Sequence, residues 1–250
     1  MMDGFYTLLY HEIVEKEGYD RSKYHGIKVN QDYADTLPEP LFVFKDEFDK
    51  QMKYLYEAGY KTLTLKEVQN YYYQNQPLPE KSILITFDDC YKSVLLNAYP
   101  TLRKYGFNAV AFVVLAWLFD EPIDYDVNNS ITMSKEELLS MRDVFEYANH
   151  TNALHTREGM KSGIQCASRE AFLKDLHQCE AFVNSKGSFA YPFGYYDKET
   201  IETLKEFGTK IAFTTLKGIN TKDRNPYELY RNMVTLGMSL REFTKMIENY

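Results

Sequence analysis

The feature that most constrains the fold is an alternation of short apolar runs with longer amphipathic segments. The clearest apolar runs are Phe5–Tyr10, Ser82–Phe87 and Ala109–Val114, and the clearest amphipathic segment is Asp46–Ala58. Short apolar runs are typical of buried strands, and their alternation with helical segments predicts βα units around a parallel sheet. A barrel of this class commonly uses about 250 residues. We therefore predict a single α/β domain over residues 1–250.

Composition excludes several other classes of protein. The chain is 44% hydrophobic and 26% charged, a balance that is not typical of disordered proteins. Its net charge of −7 and its lack of a basic tract argue against a nucleic-acid partner. The longest apolar stretch, Ala109–Phe119, is shorter than the ~20 residues of a membrane span. The first residues contain no signal-peptide pattern, so we expect a cytoplasmic protein, or a surface or secreted one if a leader was removed.

Two adjacent carboxylates follow the strand Ser82–Phe87, within the segment Thr86–Tyr91 (TFDDCY). Such a pair is costly to bury unless it is neutralised by a partner or a cation. One carboxylate would then bind the cation while the other acts as a base. Alternatively, Asp88 or Asp89 simply caps the helix predicted over Tyr91–Tyr105, because aspartate is common at helix starts.

Two histidines, His150 and His155, lie five residues apart (HTNALH). They would lie about 140° apart on a helix and on opposite faces of a strand, so they converge only in a loop. Two imidazoles and one carboxylate form a common catalytic metal set. The alternative is two unrelated loop histidines.

An aromatic turn and a third histidine complete the candidate site. The segment Ala190–Gly194 (AYPFG) suits a sugar ring, although an aromatic turn that packs on the core would look the same. His11 follows the first strand and indicates little alone. All four motifs, however, lie at the carboxyl ends of predicted parallel strands, where barrels build their active sites.

Together, Thr86–Tyr91, His150–His155 and Ala190–Gly194 resemble the signature motifs of the polysaccharide deacetylases, which form carbohydrate esterase family 4 with the NodB-homology domain. The five-residue histidine spacing and the leading LLYHE resemble the bacterial poly-N-acetylglucosamine deacetylase branch, in which the catalytic histidine segment is N-terminal. The resemblance implies a distorted (β/α)7 barrel. It also implies a metal-dependent hydrolase that removes N-acetyl groups from N-acetylglucosamine units of a polysaccharide and releases acetate.

The resemblance also implies a role for each charged residue. Asp89, His150 and His155 would hold a divalent metal, commonly zinc. Asp88 would be the general base that deprotonates the attacking water, and His11 the general acid that protonates the departing amine. These residue types suit amide hydrolysis, because a cation activates water near neutral pH and histidine donates protons near that pH.

The remaining roles implied by the resemblance concern the substrate pocket. The backbone N–H of Tyr91 would stabilise the tetrahedral oxyanion, which needs fixed donors at the position where it forms. The acetyl and sugar pocket would be shaped by Tyr191, Pro192 and Phe193.

The chain departs from the family pattern at two positions. Many members carry glycine where this chain has Cys90, and we expect the thiol to be inert. Many also carry a base-orienting arginine where this chain has Ala190. We therefore regard Arg231 as a candidate to orient Asp88 in its place.

Two other functions are compatible with the sequence. One is an O-acetyl esterase or small-amide hydrolase on the same fold. The other is a catalytically silent carbohydrate-binding barrel, which would use some of the 22 tyrosines. The expected partner is an N-acetylated polysaccharide or oligosaccharide. The sequence leaves its linkage, and the oligomeric state of the protein, open.

Overall fold

A computed structural model of the chain describes residues 4–33 and 41–248. Its strands are β1 (Gly4–Tyr10), β2 (Glu12–Val14), β3 (Ile27–Lys28), β4 (Phe42–Phe44), β5 (Lys61–Thr62), β6 (Ser82–Asp88), β7 (Ala109–Val113), β8 (Ser130–Ile131), β9 (Phe145–Asn149), β10 (Arg157–Glu158), β11 (Lys161–Ser162), β12 (Ser188–Ala190), β13 (Ile211–Phe213), β14 (Asn220–Thr221) and β15 (Asn232–Met233). Its α-helices are α1 (Lys45–Glu57), α2 (Leu65–Gln74), α3 (Tyr99–Tyr105), α4 (Lys135–Leu139), α5 (Gly163–Cys166), α6 (Arg169–Phe182), α7 (Lys198–Phe207) and α8 (Leu240–Glu248).

The main sheet is curled and largely parallel, as the sequence predicts. Parallel strands run in the order β13-β12-β9-β7-β6-β1, while β5 and β15 pair in parallel with β6 and β1. At its far edge β14 pairs antiparallel with β1. Strands β6 and β7 are buried along their whole length, which explains their continuous apolar sequence.

The register of β1 against β6 positions the site. Tyr6 pairs with Ile83 and Tyr10 with Phe87, so both strands reach the same edge of the sheet at their carboxyl ends. The residues that follow, His11 and Asp88, therefore emerge side by side. The hydroxyl of Thr86 donates to the Leu8 carbonyl at 2.7 Å and fixes this register.

Local sequence signals predict most helices but not the π-helical turn within the helix after β6. The sequence Ser134–Glu137 (SKEE) predicts a capping box, which is present at the start of α4, and the helix that the sequence predicts over Lys198–Phe207 is α7, with the same bounds. The helix predicted over Tyr91–Tyr105 starts at Lys92, but a π-helical turn at Val94–Ala98 interrupts it before α3 begins at Tyr99. Pro100 accounts for the change, because proline has no N–H for the helical bond and fits only the first turn of an α-helix.

The polar sequences of Glu15–Val43 and Asp120–Thr132 predict two long irregular stretches, but both contain residues of short strands. Strand β3 from the first pairs in parallel with β8, which overlaps the second, and β4 pairs with β2. Residues 34–40 of the first stretch lie outside the described residues. Among the residues described, no helix is both long and apolar enough to cross a bilayer.

Candidate active site

The carboxyl ends of four parallel strands converge on one cavity of about 200 Å³. Asp88 ends β6 and Asp89 follows it, while His11, His150 and Tyr191 follow β1, β9 and β12. All five side chains line the cavity and all are buried. The structure thus brings together motifs that the sequence separates by more than 100 residues.

Asp89, His150 and His155 form a cluster able to hold a metal ion, because one ligand atom from each lies within 4.8 Å of the others. Asp89 Oδ1 lies 3.7 Å from His150 Nε2 and 3.4 Å from His155 Nε2. That oxygen is buried and receives no hydrogen bond from any residue that the structure describes. Burying an oxygen without a hydrogen-bond donor costs free energy, so a positively charged partner would stabilise this cluster.

The protonation of the two imidazoles suits metal binding. His150 Nδ1 donates to the Ala190 carbonyl at 2.8 Å, which leaves the lone pair of Nε2 facing Asp89. Burial lowers the pKa of His150, and burial together with His150 lowers the pKa of His155 well below its usual range. Both rings are therefore neutral at pH 7, the form that binds a metal, and His150 has the second hydrogen bond typical of metal-ligating histidines.

The adjacent carboxylates also favour a cation. Burial raises the pKa of Asp89 well above its usual range, and the neighbouring Asp88 carboxylate raises it further. A divalent ion among the three ligands would stabilise the ionised form of Asp89. Two imidazole nitrogens and one carboxylate oxygen are ligands that zinc and several other transition metals accept, so the residues present fit such an ion.

Asp88 has a different partner from Asp89. Arg231 Nη1 donates to Asp88 Oδ1 at 2.6 Å, and Arg231 Nε donates to the Thr214 carbonyl at 2.9 Å. Burial alone would raise the pKa of Asp88, but Arg231 and the nearby His150 and His11 outweigh it and lower the pKa to about 2. The fully buried Arg231 side chain thus contacts Asp88. Many family members would make this contact with an arginine at the position of Ala190.

His11 lines the same cavity next to Asp88. Burial lowers the pKa of His11 to about 4, and Arg231 and His150 act in the same direction, whereas Asp88 raises it. The resting imidazole is therefore neutral at pH 7 and available to accept a proton.

Strained backbone supports the cluster. Non-glycine residues with left-handed φ angles between 59° and 82° occur in three of the motifs, at Asp89, Cys90, Thr151 and Phe193. Such conformations cost about 1–3 kcal/mol each and persist where surrounding contacts hold them. One such contact is the hydrogen bond from Met133 N–H to the Cys90 carbonyl, at 3.0 Å. This hydrogen bond does not involve the backbone N–H of Tyr91, the group that the family resemblance assigns to the oxyanion.

The thiol of Cys90 lies in the core, where its Sγ is 3.8 Å from the Phe112 carbonyl oxygen. Burial raises the pKa of the thiol well above its usual range, so it stays protonated. Protonated and packed among apolar residues, it is unreactive, in line with the expectation of an inert thiol.

The aromatic residues are placed unequally around the cavity. Tyr91, Tyr191 and Phe193 line it. Pro192 is buried at the start of a short 3-10 turn and, of the residues described, is not one that lines the cavity. Its expected contribution to the pocket is therefore indirect, because its ring fixes the turn that presents Phe193.

Asp175, on α6, is a site residue that sequence reasoning missed. Its buried carboxylate accepts the N–H groups of Asn152 and Ala153 at 2.7 Å and of Leu154 at 3.2 Å, and so holds the loop between the two histidines. A signal was present, because this acidic residue lies one position before Leu176 on the apolar face of a helix. Trp117 was also missed, although its ring centroid lies 4.5 Å from that of His155.

Comparison with known proteins assigns the family. A sequence model of the polysaccharide deacetylases matches residues 75–212, more than half of the chain. The chain belongs to the polysaccharide deacetylase family. Among its relatives is a poly-beta-1,6-N-acetyl-D-glucosamine N-deacetylase of Staphylococcus aureus (strain MSSA476), 30% identical over 201 residues that cover 77% of this chain and 68% of that protein. Another is the putative polysaccharide deacetylase YxkH of Bacillus subtilis (strain 168), 30% identical over 84% of this chain and 71% of that protein.

Solved structures agree on the fold of this polysaccharide deacetylase. The Streptococcus pyogenes deacetylase PplD in complex with acetate superposes with a TM-score of 0.78 at 20% identity, covering 99% of this chain and 100% of that one. IcaB from Ammonifex degensii gives a TM-score of 0.74 at 23% identity, covering 98% and 97%. These similarities confirm the predicted distorted (β/α)7 barrel. The family consists of metal-dependent hydrolases, in keeping with the Asp-His-His cluster of this member.

Proposed function

We propose that this polysaccharide deacetylase removes N-acetyl groups from N-acetylglucosamine units of a polysaccharide and releases acetate. The observation that carries the proposal is the grouping of an Asp-His-His cluster, an arginine-bound carboxylate and a third imidazole around one cavity. The names of the Staphylococcus aureus relatives support the amino sugar and suggest a β-1,6 linkage.

Asp89, His150 and His155 would hold the divalent ion, for which we propose zinc. When bound, such an ion supplies a water of lowered pKa and a Lewis acid for the acetyl carbonyl. The chain itself supplies neutral imidazoles and a carboxylate at fixed positions, in a buried site where charges interact more strongly than in water.

Asp88 is the general base in this proposal, and Arg231 is its positioning residue. The Arg231 contact occupies Oδ1, while Oδ2 lies 3.7 Å from His150 Nε2 and so faces the ligand cluster. The free oxygen can therefore accept a proton from a water held at the cluster. Arg231 keeps the carboxylate ionised and fixes its orientation.

His11 is the general acid. Because its imidazole is neutral at rest, it must gain a proton during turnover: Asp88 passes on the proton that it accepts from the water, and the carboxylate, negative again, stabilises the imidazolium that results. The imidazolium then protonates the departing amine. The N–H of Tyr91 would donate to the oxyanion, while Tyr191 and Phe193 enclose the acetamido group.

The experiment is an acetate-release assay on protein that has been chelated and then reloaded with a defined metal. Its panel contains β-1,6-linked and β-1,4-linked N-acetylglucosamine oligomers and an O-acetylated sugar. We expect acetate and a free amine in equal amounts from an N-acetylated oligomer, and turnover at least about 100-fold slower by the Asp88→Asn control. Acetate from the O-acetyl ester alone would favour the esterase function. Oligomer binding without acetate release under any metal would favour the silent sugar-binding barrel.

A further inference from the structure

A row of five rings crosses the candidate active site. Neighbouring ring centroids are 5.2 Å apart for Tyr33 and Trp117, 4.5 Å for Trp117 and His155, 4.5 Å for His155 and Phe193, and 6.2 Å for Phe193 and Tyr195. The metal-ligand candidate His155 thus lies in the middle of a continuous aromatic row. The row connects the proposed reaction centre to the rim of the cavity.

The accessible ring at one end of this row is that of Tyr195. Trp117 and His155 are buried, whereas Phe193 and Tyr195 are half-buried and line the cavity. The guanidinium of Arg157 lies 5.4 Å from the centroid of the Phe193 ring, so Phe193 already has a stacking partner besides His155. Beyond Tyr195 the surface continues to Met160, whose Sδ lies 3.9 Å from the Tyr195 hydroxyl and which is 79% exposed.

This surface is held in place by the fold. Met160 lies in the turn between β10 and β11, and the hydroxyl of Ser162 at the end of this hairpin donates to the Tyr195 carbonyl at 3.4 Å. The N–H of Tyr195 donates to the Pro192 carbonyl at 3.1 Å within the aromatic turn. The hairpin and the turn therefore present one preformed surface made of an aromatic ring and a thioether.

The size of the cavity indicates what this surface binds. At about 200 Å³ it is smaller than the roughly 300 Å³ or more of sites that enclose a drug-sized ligand, so it has room for little more than one acetamido sugar. The neighbouring units of a polymer must then lie outside it, along the rim. The C–H faces of pyranose rings pack on aromatic rings, whose faces are electron-rich.

We propose that Tyr195 and Met160 form a subsite for the sugar unit next to the one being deacetylated. This inference rests on the proposed function for the identity of the sugar. Its own content is that binding energy comes from the neighbouring unit through the ring of Tyr195 and the thioether of Met160.

The test compares kcat/KM on N-acetylglucosamine oligomers of increasing length. For Tyr195→Ala we expect a loss of about tenfold on the tetramer, mostly through KM, and little change on the monosaccharide. Tyr195→Phe keeps the ring and should match the wild type. Met160→Ala removes an exposed side chain without disturbing the core and should give a smaller loss in the same direction. Tyr56→Ala, which removes an exposed tyrosine on α1, is the matched control and should leave every length unaffected.

A binding measurement separates failure of the subsite from failure of the proposed function. Calorimetry of the tetramer with the Asp88→Asn variant, with and without Tyr195→Ala, should show about tenfold weaker binding in the double variant. Equal affinity in the two, or an activity loss that is the same at every length, would overturn the subsite. If the wild type released no acetate from any oligomer, the proposed function would fail, and the binding comparison would still decide the subsite.

Discussion

Asp88 and Asp89 show how two neighbouring residues of the same type acquire different chemistry. The end of β6 directs Asp88 towards Arg231 and turns Asp89, through a left-handed φ of 71°, towards two imidazoles. The Arg231 guanidinium neutralises the Asp88 carboxylate, whereas the Asp89 carboxylate is available to bind a cation.

This difference predicts opposite effects of two substitutions. Asp89→Ala should abolish binding of the divalent ion, because it removes the charged ligand. Asp88→Asn should retain the ion but lower kcat by about 100- to 10,000-fold, the usual contribution of a general base. Metal content by mass spectrometry and acetate release, measured on the same samples, check both. An Asp88→Asn variant with full activity would remove Asp88 from the base role.

The site residues were predictable to different degrees. Asp88, Asp89, His150 and His155 stand in short segments whose spacing limits what they can do. Arg231 lies 143 residues from Asp88. The only sequence signal for its role is that Ala190 stands where many family members carry the base-orienting arginine. No spacing rule links residues so far apart.

Glu12 is a buried carboxyl group next to the proposed acid. It accepts hydrogen bonds from Ser93 Oγ at 3.2 Å and from Ser130 Oγ. Burial raises the pKa of Glu12 from its usual 4.5 to about 7, although the two hydroxyl donors lower it. The folded protein therefore binds this proton more tightly than the unfolded chain does.

The raised pKa of Glu12 makes the stability of the folded protein depend on pH. The stabilisation that comes from the tighter proton binding of Glu12 is fully present below pH 4.5 and is lost as the pH rises through 7. The loss amounts to up to about 3 kcal/mol of unfolding free energy. Glu12→Gln should flatten this decline between about pH 5 and 8, as measured by urea unfolding. Glu15→Gln, which changes an exposed glutamate nearby, should keep the wild-type slope. Identical slopes in wild type and Glu12→Gln would contradict the assignment.

At the scale of elements, the aromatic turn depends on a glycine. Gly194 has a φ of 74°, and a Cβ added there would lie 2.1 Å from Thr215 Oγ1. The turn therefore packs directly against Thr215, two residues after the end of β13, and this contact fixes how far Phe193 and Tyr195 reach into the cavity.

Gly194→Ala should lower kcat/KM on the order of 100-fold, because reacting groups displaced by about 1 Å lose their alignment. The matched control is Gly106→Ala at the end of α3, where φ is 67° and a Cβ would meet nothing within 4 Å. It carries the same backbone strain, so its melting temperature should fall while its activity is kept. Equal activities of the two variants would show that the turn does not position the site.

Long apolar strands were predictable, whereas the shortest strands were not. The runs that became β1, β6 and β7 are each five residues or longer and predominantly apolar, enough to identify a buried strand. Strands β3, β8, β14 and β15 have two residues each, too few to show any periodicity. They form through pairing with distant segments, which tertiary structure alone determines.

Segments from the first and last parts of the chain both contribute to the main sheet and to the candidate active site. His11 directly follows strand β1, which pairs with β14, β15 and β6, while Arg231 immediately precedes β15. We therefore propose that residues 1–250 form one domain.

A single domain should unfold in one cooperative transition. The lone tryptophan, Trp117, reports on the site by fluorescence, and far-ultraviolet circular dichroism reports on the sheet and helices. We expect the two urea curves to coincide. Two separated transitions would indicate independently folding parts.

In the proposed mechanism, side chains from distant segments gather around one divalent ion and hydrolyse an acetamide there. The most direct measurement titrates chelated protein with zinc while recording acetate release from an N-acetylglucosamine oligomer. The mechanism predicts that activity is absent at the start, rises in proportion to added ion and levels off at one ion per chain. Activity that is indifferent to chelation, or zinc binding of the same stoichiometry in the Asp89→Ala variant, would contradict it.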